Sequence, residues 1–224
     1  MESARTLAQS FHASNISLVY GGGTRGIMGE LARALVSLSG PQSVHGVIPR
    51  ALIRTDPKYE HGLKQADSNF NSGSKVAERT MSANDLQRID CGEKGSMPQE
   101  GEYGLTTVVA DMHTRKRMMA QMVIDGGAGS GFVALAGGYG TIEEVMEMVT
   151  WNQLGIHRMP IVLVNIDGYW DGLLQWVRRS VKEGYVGESN AGILTEVKAT
   201  SEVLNALKEY RVAEGRFKLD WSQG

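Results

Sequence analysis

Apolar residues in the N-terminal part of the chain alternate between a helical and an extended spacing. The first helical stretch carries Leu7 and Phe11 on one face, and the second ends at Gly40-Pro41, a typical helix stop signal. Each helical stretch is followed by a short apolar run with the length of a buried strand. The pattern predicts helices at 2–12 and 26–38 and strands at 15–20 and 44–48. This order indicates parallel strands with helices on both faces of the sheet.

The same alternation returns in the C-terminal half. Asp111 has the side chain and the position of a helix N-cap, and the glycine-rich residues 126–131 indicate a flexible hinge before a strand. Strands are predicted at 105–110, 132–135 and 160–165, and helices after Asp111, after Thr141, at 169–181 and at 201–210. Together these elements predict an α/β fold of the Rossmann-like, doubly wound kind, with a parallel sheet between two layers of helices.

From 50 to 104 the periodicity is lost. This stretch is rich in Ser, Asn, Gly and Gln, and only one short helical pattern is found in it, near 76–86. Because so long a loop is unusual within a compact α/β domain, we expect a disordered insertion at 65–100. His61 and Cys91 in this stretch lack the spacing of metal ligands, so no metal site is predicted.

The composition is that of an ordinary globular protein. The 224 residues are 42% hydrophobic and 21% charged, with a net charge of −2, which gives no indication of binding to nucleic acid or to a membrane. We expect one α/β domain over 1–211 and a loose tail at 212–224. A single cysteine, no leader and no apolar run long enough to span a bilayer predict a cytoplasmic protein.

Two glycine-rich loops follow predicted strands and open predicted helices. The loop with Gly137, Gly138 and Gly140 suits an anion such as phosphate, because the N–H groups of the next helical turn are free. No Gly-Lys-Ser/Thr follows it, which excludes a nucleoside-triphosphate loop. The loop 21–26 fits G-x-G-x-x-G, but the next aspartate, Asp56, lies out in a loop and not at a strand end. We interpret this loop as support for a nucleotide smaller than a dinucleotide.

Two glutamates, Glu143 and Glu144, come directly after the second glycine loop. One carboxylate near a helix N-terminus is explained by the helix dipole. Two carboxylates beside a bound phosphate would repel it, so we interpret one of them as acting on the uncharged part of the ligand.

Several motifs, in order, resemble the Lonely Guy (LOG) family of cytokinin-activating phosphoribohydrolases, which are often mislabelled lysine decarboxylases. Residues 136–144, AGGYGTIEE, are similar to the family signature Pro-Gly-Gly-x-Gly-Thr-x-x-Glu, with Ala136 at the proline position. The other matching segments are Arg115-Lys116, 150–157 and the glycine loop 21–29. The resemblance extends over residues 1–200 or so.

The resemblance implies hydrolysis of the N-glycosidic bond of cytokinin 5′-monophosphates, and of AMP as a further substrate, to free base and ribose 5-phosphate. It implies Glu144 and Arg115 as catalytic residues and no metal or organic cofactor. Glu144 would stabilise charge at C1′, hold the ribose hydroxyls or orient the water, while Arg115 would bind phosphate or assist the departing adenine. The implied nucleotide contacts are Gly137, Gly138, Tyr139, Gly140, Thr141, Lys116, Gly21, Gly22 and Gly23. Pyridoxal phosphate would need a Schiff-base lysine, which the sequence does not mark.

Two other interpretations stay open at this point: a non-catalytic carrier of a nucleotide or a molybdenum-cofactor-like ligand, and an inactive, truncated family member. The second is suggested because the chain opens in a helix, without the first strand of a sheet of this family, which would lie beside 17–20 and 132–135. Apolar residues on the Arg115 and Glu144 helices predict a homodimer. Trp151 and His157 are also candidates for active-site groups, although we favour packing in the core or contact with a second subunit for both.

Overall fold

The computed structural model describes residues 1–53 and 101–221. In these parts of the chain the helices are α1 Glu2–Ala13, α2 Gly26–Ser39, α3 Arg50–Ile53, α4 Met112–Asp125, α5 Tyr139–Gln153, α6 Asp171–Lys182 and α7 Val203–Glu209. The strands are β1 Leu18–Tyr20, β2 Val44–Pro49, β3 Leu105–Val109, β4 Phe132–Ala134, β5 Ile161–Val164 and β6 Leu194–Val197. None of these helices is long and apolar enough to cross a membrane. The predicted insertion at 65–100 and the helical pattern near 76–86 lie outside the described residues.

All strand pairs in residues 1–53 and 101–221 are parallel, as the sequence pattern predicts. Strand β2 lies between β1 and β3, with Val19 beside His45 and Val47 beside Thr107. Strand β5 lies between β4 and β6, with Val133 beside Val162. Parallel neighbours need long crossover connections, and helices occupy most of these connections. The predicted α/β, Rossmann-like class is confirmed.

The six strands in the described part of the chain form two sheets of three. Their orders are β1-β2-β3 and β4-β5-β6, so β1 and β4 each lie at the edge of a sheet. Among the strands in residues 1–53 and 101–221, none pairs with the outer edge of β1 or β4. These are the two strands beside which the family resemblance leads us to expect a further strand.

One apolar cluster nevertheless joins the two sheets. Helix α1 contributes Leu7, Ala8 and Phe11, none more than 5% exposed, because its apolar residues repeat along one face. The same cluster contains Val44 of the first sheet and Val162 of the second. Burial of a Leu or Phe side chain stabilises a fold by roughly 1.5–3 kcal/mol, so α1 contributes substantially to holding the sheets together.

The helix ends follow the predicted signals. The Asp111 carboxylate accepts the backbone N–H of Thr114 at 2.8 Å, which confirms Asp111 as the N-cap of α4. Helix α2 is followed by Gly40, whose φ of 83° lies in the left-handed region that favours glycine.

Strand β6 is an element that the sequence pattern does not predict. Of its four residues, only Val197 is buried, so no continuous apolar run marks it. Its parallel pairing with β5 holds it in place. Helix α6 also begins later than predicted, because Tyr169 and Trp170 belong to a turn that starts at Ile166.

Candidate active site

The turn between β4 and α5 leads into an open helix N-terminus. Gly138 is the N-cap residue, and within the described part of the chain no side chain hydrogen-bonds to cap α5. The N–H groups of the first helical turn are therefore available to a ligand, and the helix dipole adds partial positive charge. Gly138 and Gly140 are exposed, so a ligand can reach these groups from solvent.

Gly137 and Thr141 are in close contact across this loop. A Cβ at position 137 would lie 2.1 Å from the Oγ1 atom of Thr141, so a larger residue would displace the threonine. The hydroxyl of Thr141 is thus folded back over the loop. Tyr139, in contrast, is 96% exposed and projects into solvent. The predicted loop residues 137–141 therefore lie together at the start of α5.

Arg115 of α4 reaches across to Glu144 in the second turn of α5. Only 9% of Arg115 is exposed; its Nη1 donates to Glu144 Oε1 at 2.6 Å, and its Nε donates to the carbonyl of Val47 at 3.1 Å. A buried guanidinium needs such partners, because an unpaired buried charge is costly. The structure therefore brings the two residues predicted to be catalytic into one ion pair.

Gly21 gives the Arg115 side chain its space. A Cβ at position 21 would lie 2.0 Å from Nη2 of Arg115, so a larger residue would displace the guanidinium. Gly22 has a φ of 75°, and a Cβ at Gly23 would lie 2.7 Å from the methyl group of Met28. Gly21 of the first glycine loop thus packs against Arg115 of the ion pair, and this role is not visible in the sequence.

Lys116 is paired with two glutamates of α5. Its Nζ donates to Oε1 of Glu143 and, at 3.2 Å, to Oε1 of Glu147, and only 13% of its side chain is exposed. The hydrogen bond that Lys116 donates to Glu143 raises the pKa of Lys116. The other oxygen of Glu147 lies 3.1 Å from the same Nζ without hydrogen-bond geometry. The sequence pattern does not single out Glu147, although its spacing of four from Glu143 places both on one helix face.

The charges between α4 and α5 nearly cancel. The cations are Arg115 and Lys116, and the carboxylates are Glu143, Glu144 and Glu147. Two positive charges therefore face three negative charges, and both cations are already paired. Neither cation of this cluster is therefore free of a carboxylate partner.

His157 is a packing residue. It is 3% exposed, and its ring centroid lies 5.2 Å from that of Phe132. Its Nδ1 accepts the N–H of Met159, and its Nε2 donates to the carbonyl of Met148 at 2.9 Å. These contacts fit the neutral ring, and burial lowers the pKa of His157. Trp151 packs against an apolar core cluster, so both residues have the packing role expected of them.

The end of the described chain lies against the C-terminal end of α5. Arg216 Nε donates to the carbonyl of Asn152 at 2.6 Å, the Phe217 N–H to that of Gln153 at 2.8 Å, and the Trp221 indole N–H to that of Leu154 at 3.1 Å. The last carbonyls of a helix accept no hydrogen bond from the helix itself. These three donors each pair with one such carbonyl. These three donors lie within 212–224, where the sequence predicts a loose tail. No periodic pattern in the sequence marks their contacts.

Known proteins resemble this chain over nearly its whole length. Residues 28–207 match a family model described as "Possible lysine decarboxylase". The chain is 43% identical over 221 residues to a "Bifunctional cytokinin biosynthesis protein" of Fusarium pseudograminearum (strain CS3096), covering 99% of this chain and 39% of that protein.

Two plant proteins are also similar. A "Probable cytokinin riboside 5'-monophosphate phosphoribohydrolase" of Oryza sativa subsp. japonica is 33% identical over 228 residues, covering 100% of this chain and 83% of that protein. A "Cytokinin riboside 5'-monophosphate phosphoribohydrolase" of Arabidopsis thaliana is 32% identical over 225 residues, covering 98% and 80%. The chain therefore spans most of each plant protein but less than half of the Fusarium protein.

We predict that the protein loses stability as the pH falls through the titration of His157. Burial lowers the pKa of His157 in the folded state below its unfolded value of about 6.5, so the unfolded chain binds the proton first. The stabilising contribution of the neutral ring is complete above about pH 6.5 and is lost at lower pH. Urea unfolding at a series of pH values from about 8 to 5 measures this dependence.

In the variant His157→Gln, the free energy of unfolding should depend less on pH in that range. Some pH dependence should remain, because burial also lowers the pKa of His45. His113, which is exposed, provides the control His113→Gln, which should keep the wild-type slope. A free energy of unfolding that rises as the pH is lowered would contradict the prediction.

Proposed function

The chain belongs to the Lonely Guy (LOG) family, and on this premise we propose that it hydrolyses the N-glycosidic bond of cytokinin 5′-monophosphates. These substrates are adenosine 5′-monophosphates with a substituent on N6, and the products are the free base and ribose 5-phosphate. The observation that carries the proposal is the pairing of buried Arg115 with Glu144, close to a glycine-rich helix N-terminus. This arrangement places a helix N-terminus suited to an anion and a carboxylate within the first two turns of one helix.

The phosphate is assigned to the start of α5. The N–H groups from Gly138 to Thr141 donate to its oxygens, and the Thr141 hydroxyl adds another donor. Because Lys116 is paired with two glutamates, this supports phosphate binding mainly by backbone N–H groups. The glycines at 21–23 form the neighbouring wall, where Gly21 contacts Arg115.

Glu144 is assigned to the sugar. As the base leaves, C1′ gains positive charge, and a nearby carboxylate stabilises that charge, holds the ribose hydroxyls or orients the attacking water. The Glu144 side chain is 36% exposed, and Arg115 engages its Oε1. We therefore assign its other oxygen, Oε2, to the sugar.

Arg115 orients Glu144 and lies where it can assist the departing adenine. Its hydrogen bond to the Val47 carbonyl holds the guanidinium in place. In the reaction, water oxygen bonds to C1′, the bond from C1′ to the base nitrogen breaks, and a proton from water ends on the base. The proposed reaction therefore balances with water alone as the second reactant.

The scope of the proposal is nucleotide hydrolysis. The chain spans 39% of the bifunctional Fusarium protein, so only the activity that the names of the plant relatives state is transferred. The one cysteine of the chain, Cys91, favours a reducing compartment, and we propose the cytoplasm.

The first test is a direct assay with N6-isopentenyladenosine 5′-monophosphate and with AMP. We expect release of free base and ribose 5-phosphate, measured by chromatography. The riboside without the phosphate should react much more slowly, because it cannot use the N–H groups at the start of α5. Binding of both nucleotides without any release of base would contradict the proposal and would favour the non-catalytic carrier.

The variant Glu144→Gln should lose turnover by roughly a hundredfold or more while binding AMP nearly as well as the wild type, because the carboxylate acts on the sugar and the backbone holds the phosphate. Base release measures turnover, and calorimetry measures binding. Arg115→Ala should weaken both, since Arg115 orients Glu144.

Glu143→Gln is the matched control, because Glu143 neighbours Glu144 but pairs with Lys116 and is 53% exposed. It should keep most of the activity. If Glu144→Gln lost binding and turnover together, Glu144 would have a structural role and the assignment would be wrong.

We also propose a homodimer formed through α4 and α5. Met112 is 42% exposed and Ile142 is 37% exposed, while Met146 and Trp151 are partly buried. Met148 of α5 is buried in the core and does not contribute to this surface. Light scattering at micromolar concentration should give about twice the 24.4 kDa chain mass; a monomeric mass would contradict the proposal.

A further inference from the structure

Tyr169 contacts the glycine loop from a different part of the chain. Its hydroxyl donates to the carbonyl of Gly137 at 2.8 Å. The side chain is nevertheless 56% exposed, so the hydroxyl is not buried and could have bonded to water instead. Tyr169 follows β5, whereas Gly137 follows β4, so this hydrogen bond joins the loops after two neighbouring strands.

The position of Tyr169 is fixed by the turn that precedes α6. Asp167 and Gly168 have φ values of 52° and 73°, which produce a tight reversal after β5. The next residue, Trp170, is 3% exposed, and its N–H donates to the side chain of Asn165 at 2.7 Å. The rings of Tyr169 and Trp170 meet edge to face, with centroids 4.9 Å apart. The residue next to Tyr169 is therefore buried and hydrogen-bonded, and this holds Tyr169 in position although its own ring is exposed.

The hydrogen bond fixes a peptide plane in the anion site. The carbonyl of Gly137 and the N–H of Gly138 belong to the same planar peptide unit and point in opposite directions. A donor that holds the carbonyl therefore also sets the direction of the Gly138 N–H. Two consecutive glycines have wide conformational freedom, and Ala136 before them does not restrict the backbone as a proline would.

We propose that Tyr169 is a positioning residue, which through its bond to the Gly137 carbonyl orders the N–H groups that hold the substrate phosphate. This inference rests on the proposed function, because it needs an anion at the start of α5. Tyr169 acts through the backbone of the glycine loop and not on the reacting atoms. Its loss should therefore affect phosphate affinity and leave the chemical step largely unchanged.

The test is the variant Tyr169→Phe, which removes the hydroxyl and keeps the ring. Binding of ribose 5-phosphate, measured by calorimetry, should weaken roughly three- to tenfold, the range expected for one lost hydrogen bond. The KM for the nucleotide should rise by a similar factor, while kcat and the melting temperature stay close to wild type. Tyr185→Phe is the matched control, because Tyr185 is 81% exposed at the other end of α6; it should change none of these values.

Adding Ala136→Pro to Tyr169→Phe gives a second test, because proline restricts the backbone directly before the loop. Recovery of ribose 5-phosphate affinity supports the inference, and no recovery overturns the ordering role. Affinity equal to wild type in Tyr169→Phe, or a fall in kcat and melting temperature that accompanies the loss of affinity, also overturns it. If the wild-type protein hydrolyses the nucleotide but Tyr169→Phe and the control Tyr185→Phe bind ribose 5-phosphate equally well, this inference alone is overturned. A wild-type protein that does not bind ribose 5-phosphate would overturn the proposed function as well.

Discussion

The ion pair between Arg115 and Glu144 is the contact on which the candidate site depends. Arg115 is anchored to the first sheet by the carbonyl of Val47 on β2, whereas Glu144 lies on the helix that follows β4 of the second sheet. The pair therefore crosses the boundary at which no described strand joins β1 to β4. Removing either side chain would leave a charged group without its main partner, and for the buried arginine this is costly.

The other parts of the site are arranged around this pair by the geometry of parallel strands. The loop at 21–23 follows β1, Arg115 follows β3, the segment 137–144 follows β4 and Tyr169 follows β5. The carboxyl ends of parallel strands lie along one edge of a sheet, which is the usual ligand site of open α/β folds. Arg115 and Lys116 are both paired with glutamates, so the proposed function relies on backbone N–H groups to hold the phosphate. The proposal therefore gives the conformation of the short glycine loop a direct effect on phosphate affinity.

Much of the fold follows from periodicity, because strong local patterns agree with the tertiary structure. The apolar face of α1, the N-cap Asp111 and the stop at Gly40 are all readable in the sequence. Strand β6 is not readable, because its four residues depend on pairing with β5 and carry little apolar signal.

The candidate site likewise has some features that local sequence patterns identify and others that they do not. Glycine spacing and the family resemblance identify the loop, Glu144 and Arg115 as candidates, although these roles stay proposals. The clearance that Gly21 provides for Arg115, the contact of Tyr169 with Gly137 and the pairing of Lys116 with Glu147 each join residues far apart in sequence. Such contacts arise only when the strands are assembled, so local pattern cannot predict them.

The most direct measurement is a crystal structure of the protein with ribose 5-phosphate bound. The phosphate oxygens should lie about 2.7–3.2 Å from the N–H groups of residues 138–141. C1′ should face Glu144, and the Arg115–Glu144 pair should remain intact. A phosphate bound instead between Arg115 and Lys116 with their glutamate partners displaced, or a sugar that points away from Glu144, would contradict this account of the site.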